Sequence, residues 1–251
     1  MRAHLDLIKY KVYAELSAEA ARTFLGILWW VIEPVLYMSV FYFIFGVLFQ
    51  RGGEGFVYFL LVGLVVWKWF DSSIRSGMVS LQTNAAVIVQ VYQPKFIFPV
   101  IVVLINTAKF LFVMLLLLLF LLVSGKPASA SWLALLPLIS VQCVFIASIT
   151  SLFATVIPFV PDFKWVVENG LTMLFFLSGV FFDISAMPEN FQVWLRLNPM
   201  AVLIDNYRNV LLQGQMPDWW QLFWVLLFSS ILILAALWVF NRFDRIYPKL
   251  V

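Results

Sequence analysis

The chain is predicted to be an all-α membrane protein. It is expected to hold six transmembrane helices, an N-terminal interfacial amphipathic helix, and two short re-entrant helices between spans five and six. Two observations predict it. Hydrophobic residues make up 64% of the 251 residues and charged residues only 12%, about half the usual charged share. Such a chain cannot cover its surface with polar groups, so its solvent is lipid. In addition, six apolar stretches each run close to the roughly 20 residues that cross a hydrocarbon core. The polar pieces between them are too short to build a soluble core, so residues 1–251 read as one transmembrane domain.

The same composition excludes several function classes. A net charge of +3 is too small to argue for a nucleic-acid partner. Cys143 stands alone in an apolar stretch, which leaves no disulfide framework and no cysteine metal site. His4 is the only histidine, so a histidine metal site or triad within one subunit is excluded. The N-terminus does not read as a cleaved signal, because Asp6, Glu15 and Glu19 break up the pattern.

Residues 2–25 read as an amphipathic helix. Leu5, Ile8, Val12 and Leu16 share one face, while Lys11, Glu15, Glu19 and Arg22 share another. Low overall hydrophobicity suits a helix lying in the interface, within a segment 1–28. A soluble helix packed on a partner is the alternative. The spans then fall at about 30–49, 56–76, 99–123, 132–157, 165–182 and 219–240. With the N-terminus inside, ten Lys and Arg residues lie on cytoplasmic pieces and four, Arg51, Lys126, Arg196 and Arg208, on outer ones. That imbalance puts both termini in the cytoplasm.

The segment LQTNAAVIVQVYQPKFIFP, residues 81–99, separates the second and third spans and is too polar and too short to cross a bilayer. Gln82, Thr83, Asn84 and Gln90 punctuate its apolar run, and Pro94 and Pro99 interrupt any continuing helix. A short surface helix over about 84–92 is expected, within a cytoplasmic loop 81–98. It serves either as a plain connection or as the surface on which a soluble partner pushes. For the second role, Val87, Ile88 and Val91 supply apolar side chains, Pro94 limits bending, and Lys95 can meet an acidic partner site.

One long outer segment spans 183–218. Pro188 starts a helix through 197, Asn198-Pro199 breaks it, and a second helix fits 200–213. Leu203, Ile204, Tyr207 and Leu211 share a face of that second helix, and Gly214 follows its end. Either the pair dips into the outer leaflet beside a pathway, or it lies on the surface as a hairpin.

Ionisable residues inside spans each cost about 2.5–3.5 kcal/mol on insertion scales. Lys68, Asp71 and Arg75 share a helical face, so Asp71 can pair with both. Glu168 lies one turn after Lys164 and can pair with it. Lys109 sits about 15 Å along a helix from Pro99, near the midplane. It needs a carboxylate or a water-filled cavity, and Asp71 or Glu168 is the expected partner. Aromatic residues make up 18% of the chain. Most face lipid or pack, but Trp29, Trp30 and Tyr37, with Phe175, Phe176, Phe181 and Phe182, are candidates to line a passage. Aromatic faces stack on the apolar faces of sugar rings.

Several stretches in order resemble the membrane subunit of type-2 ABC exporters, from the branch exporting polysaccharides and polyol phosphates. FLGILWWVIEPVLYMSVFYFIFG resembles the family's entry into its first span. YFLLVGLVVWKWF with NAAVIVQVYQPKFIFP resembles its second span and cytoplasmic loop, and FFLSGVFFDISAMPENFQVWLRLNPMAVLIDNYRNVLL its segment between spans five and six. The resemblance implies a homodimer of six-span subunits in the cytoplasmic (inner) membrane, working with two ATP-binding cassette subunits that contact the loop holding Asn84. ATP and Mg would sit on those partners, with no cofactor on this chain. A channel at the homodimer interface would pass a lipid-linked polysaccharide, O-antigen-like, capsular or teichoic-acid-like, and the short outer helices would frame its exit. Gln90 and Gln93 depart from the basic and aromatic residues expected there, and Glu33 precedes Pro34 where a neutral residue is commoner.

No Gly-Lys-Ser/Thr phosphate loop exists: Gly52-Gly53 and Gly55 fall in a tight outer turn. Hydrolysis of ATP is therefore expected in trans. Two alternatives stand beside polysaccharide export. One is export of a small amphiphile or drug, and the other a membrane-embedded transferase acting on lipid-linked sugars. The second lacks a paired-carboxylate or histidine constellation in a large outer loop.

Overall fold

The structure, a computed structural model, describes residues 2–22, 25–48, 55–91, 93–126 and 128–250; the side chains of residues 2–7, Ala20, Arg22, Ile27, Phe45 and Gly46 are not described. The outer turn expected at Gly52-Gly53, the end of the first span at Phe49, Arg51, Tyr92, and the side chains of His4 and Leu5 lie outside the described residues. Among the described residues every regular element is helical.

Helix α1 covers Arg2–Arg22. Helix α2, Trp29–Phe41, continues as a wider π-helical stretch, Tyr42–Leu48. Helix α3 is Phe56–Gly77, followed by two short pieces, α4 (Ser80–Thr83) and α5 (Ala85–Gln90). Helix α6, Ile97–Val123, is a run of Ile, Val, Leu and Phe in which Pro99 falls in the first turn, where its missing N–H is no loss. After a 3₁₀ turn, α7 runs Leu135–Val156, and α8 covers Phe163–Leu177. Helices α9 (Glu189–Arg196), α10 (Pro199–Leu211), α11 (Trp219–Phe243) and α12 (Tyr247–Leu250) complete the chain.

Among the described residues, four helical stretches are long and apolar enough to cross a membrane: α3, α6, α7 with its preceding turn, and α11. They match four of the six expected spans to within a few residues. The expected first span appears as α2 and its π-helical continuation. The expected fifth does not reach 182. Helix α8 stops at Leu177 after 15 residues, about 22 Å at 1.5 Å per residue, short of a 30 Å hydrocarbon core. The chain turns at Gly179, whose φ of +70° is a left-handed conformation that glycine adopts without strain.

The core is centred on α3, which packs against α2, α6, α7 and α10. Leu60, Val62, Val66, Phe70 and Ile74 of α3 are buried, as are Phe110 and Leu121 of α6 and Leu138, Phe145 and Ile146 of α7. Rings lock the layers: Trp69 stacks on Phe110 at 4.1 Å, Phe70 on Phe145 at 5.7 Å, and Phe110 meets Tyr207 edge-on at 6.4 Å. At Gly77 an added Cβ would come within 2.1 Å of Thr150 Cγ2, so α3 and α7 meet there with no room for a side chain.

Helices α9 and α10 differ sharply. Nearly every residue of α10 from Met200 to Leu211 is buried, and it fills a cleft beside α3 and α7. Helix α9 has no buried residue and exposes Phe191, Val193 and Trp194. Asn198 divides them as expected: its Oδ1 accepts from Met200 N–H at 3.0 Å, with Pro199 opening α10. Gly214 follows α10 with φ +69°.

Candidate functional site

Helices α4 and α5 join α3 to α6, as the loop 81–98 was expected to. Asn84, between them, donates to Ser80 O at 2.8 Å and accepts from the Lys11 ammonium. Val87 (40% exposed), Val89 and Val91 (52%) point outward. Ile88 does not: at 3% exposure it joins Leu81, Phe98, Ala154, Phe240 and Tyr247 in a second, smaller core. Ile88 is therefore an anchor of α5 and not a partner contact. The physical reason lies in the tail after α11. It turns back so that Phe243 and Tyr247 cover α5, and the Tyr247 hydroxyl donates to Thr155 O at 3.2 Å. Lys95 is likewise claimed from within. It is 2% exposed and pairs with Asp244 at 3.4 Å, so it does not reach toward a partner. Pro94 is half-buried at the start of this turn into α6.

A cavity of about 540 Å³ opens between α1, α2, α3 and α6. Its wall holds three lysines, Lys11, Lys68 and Lys109, and three glutamates, Glu15, Glu19 and Glu33. The hydroxyls of Ser72, Ser76 and Thr83 and the amide of Asn106 add to it. Lys109 pairs with Glu19 of α1, not with Asp71 or Glu168, and its ammonium lies 5.6 Å from the Trp30 ring centre. Lys68 pairs with Glu33 of α2 instead of Asp71. Both expected acids are taken locally: Asp71 accepts from Arg75 at 2.8 Å and Glu168 meets Lys164 at 3.7 Å. Both local pairs are i,i+4 neighbours, which face each other on one helix surface. Burial in the cavity wall pushes the Lys11 amine below its ordinary value, and Glu15 opposes the shift. Contacts from Lys11 to Asn84 and from Glu19 to Lys109 tie α1 to the junction of α4 with α5 and to α6.

The aromatic candidates separate into two groups. Phe175 and Phe176 of α8 gather with Phe181 and with Phe41 of α2. Phe41 lies 4.2 Å from Phe181 and 6.0 Å from Phe175, and Tyr37 stacks on Phe41 at 6.5 Å. Phe176 and Tyr37 keep exposed surface, giving α2 and α8 a shared aromatic face. Trp30 stands apart in the cavity wall, donating to Glu19 at 3.2 Å. Trp29 is exposed and Phe182 half-buried, and neither joins the cluster.

Arg208, assigned from sequence only to an outer loop, is 4% exposed. Its guanidinium donates to Gly179 O at 2.6 Å, Val180 O at 2.8 Å and Phe59 O at 3.1 Å, and lies 3.3 Å above the Phe59 ring. It thereby satisfies two backbone carbonyls in the turn beyond the end of α8. Gly63 makes the room: a Cβ there would lie 2.7 Å from Arg208 Nη2. Glu19, Glu33, Phe41, Asp244 and Arg208 are the residues that sequence reasoning missed in these roles. Only Glu33 carried a signal, as an acidic residue inside an apolar stretch.

No family model matches the chain. Curated relatives cover nearly all of it. The O-antigen export system permease protein RfbA of Klebsiella pneumoniae is 28% identical over 239 residues, 94% of this chain and 92% of that protein. The protein of the same name from Myxococcus xanthus is 27% identical over 232 residues, 92% of this chain and 89% of its own length. The polysialic acid transport protein KpsM of Escherichia coli is 23% identical over 218 residues, 85% of this chain and 84% of that protein.

Proposed function

We infer that this chain is the membrane permease of an ABC-type polysaccharide exporter, and that it is a transport subunit, not an enzyme. The observation that carries the inference is end-to-end similarity to O-antigen and polysialic acid export proteins, joined to a bundle with four membrane-length helices. The finer reading is a homodimer of six-span subunits in the cytoplasmic membrane, both termini inside, passing a lipid-linked polysaccharide through a channel between the copies. The exposed aromatic face of α2 and α8 supports a channel wall there, since rings such as Tyr37 and Phe176 can stack on sugars. Two ATP-binding cassette subunits bind ATP and Mg and drive the motion.

In this reading α5 receives the force. Val87, Val89 and Val91 supply an exposed apolar ridge, while Ile88 bolts the same helix to Phe240 and Tyr247. A push on α5 is thus passed to α3 and α6 through the chain, and to α11 through packing. Val87→Glu should abolish export and release the ATPase subunit on purification, with the permease still folded. Retention of both a bound ATPase and full export would show that α5 is only a connection. Stimulation of ATP hydrolysis by lipid-linked polysaccharide, and not by small amphiphiles, separates the substrate class from drug export.

A further inference from the structure

The end of α11 carries a basic cleft that none of the roles above uses. Between the turn into α6 and the end of α11 lies a hollow of about 480 Å³, walled by Lys95, Arg242, Asp244 and Arg245 with Phe96 and Phe240. Three cations face one carboxylate. That carboxylate is engaged, because Asp244 pairs with buried Lys95. Arg242 and Arg245 are exposed, and neither pairs with a carboxylate among the described residues.

The helix leading to this cleft is the most peripheral of the four membrane-length helices, with only 22% of its most apolar window buried. Ile231, Leu234 and Trp238 are each more than half exposed. At spacings of three and four residues they share one stripe, which runs on to Arg242 at the end of α11, with Arg245 in the turn that follows. An apolar rail thus ends in two unpaired guanidiniums over a cavity, the complement of an acyl chain ending in a phosphate.

We propose that this cleft binds an anionic phospholipid: the phosphate diester sits between Arg242 and Arg245, and an acyl chain lies along Trp238, Leu234 and Ile231. Guanidinium forks match phosphate oxygens two at a time, and basic pockets between membrane helices suit anionic headgroups. The apolar rail favours a lipid over free phosphate or a protein carboxylate. The inference does not depend on what the exporter carries.

The test uses the purified full-length chain in detergent, titrated with phosphatidylglycerol, phosphatidylcholine or inorganic phosphate and read by native mass spectrometry. Phosphatidylglycerol should be retained and phosphatidylcholine not. Retention should weaken about thirtyfold in the R242Q/R245Q double variant, from two surface cations removed. Because both arginines are exposed, that variant should melt with the parent chain. Trp238→Ser should weaken phosphatidylglycerol and leave inorganic phosphate unaffected. Equal retention by parent and double variant overturns the proposal. So does equal retention of phosphatidylcholine, or displacement of the lipid by equimolar phosphate. Loss of a co-purifying protein with lipid retention unchanged assigns the cleft to a protein carboxylate, and overturns it too.

Discussion

Replacing Arg208 by methionine tests whether the guanidinium holds together the end of the bundle where α3, α8 and α10 meet. Methionine keeps the apolar stem as far as Nε but loses the terminal guanidinium atoms, every donor and the contact over the Phe59 ring. Three carbonyls are affected unequally. Phe59 O lies inside α3 and keeps its helical N–H donor from Gly63. Gly179 O and Val180 O lie beyond α8, and Arg208 reaches them at 2.6 and 2.8 Å. Leaving two buried carbonyls without a donor costs roughly 1–3 kcal/mol each, so the variant should lose about 2–6 kcal/mol. In a chain of this size that lowers Tm by at least about 4 °C. Arg208→Lys should fall between, because an ammonium is a point donor and cannot span both strands of the clasp. Thermal unfolding in detergent, followed by tryptophan fluorescence, reads the series. An Arg208→Met protein melting within about 2 °C of the parent would refute the clasp, since even the lower bound exceeds that.

Two further outcomes follow from the helix contacts. Gly77→Ala should destabilise by about 1–3 kcal/mol through overpacking, because its Cβ overlaps Thr150 Cγ2; Thr150→Ser, which removes that methyl, should restore the melting temperature, and failure of the rescue would mean the helices separate freely. For α1, a double-mutant cycle of Lys109→Ala and Glu19→Ala should give a coupling of about 0.5 kcal/mol or more; strictly additive melting shifts would mean that α1 is held by other contacts.

Periodicity and hydropathy made the long elements legible. The ends of α3, α6 and α11 lie within a few residues of expectation because apolar runs there stop at charged or turn residues. The turn chemistry of Asn198-Pro199 and Gly214 was equally readable, since those residues act on their own backbone. Partner choice was not. Lys109 and Lys68 each needed a carboxylate, but Glu19 and Glu33 lie 90 and 35 positions away along the chain, where no local pattern links them. The same limit hid Asp244 from Lys95 and Tyr247 from Ile88. Helix α8 was overextended because 178–182 is as apolar as the helix itself. The turn comes at Gly179 in its left-handed conformation, and the carbonyls there are held by Arg208, a residue no window around Leu177 contains.

Phe59 and Arg208 are 149 positions apart, and that separation sets an order of events in biogenesis. At 5–20 residues per second, about 7–30 s pass between synthesis of the two ends of the clasp. Through that interval α3, α6 and α7 are inserted beside a groove that α10 has not yet filled. Defects in α10 therefore act at assembly before they act on transport. Such a chain completes insertion without closing its core, and membrane proteases meet it first.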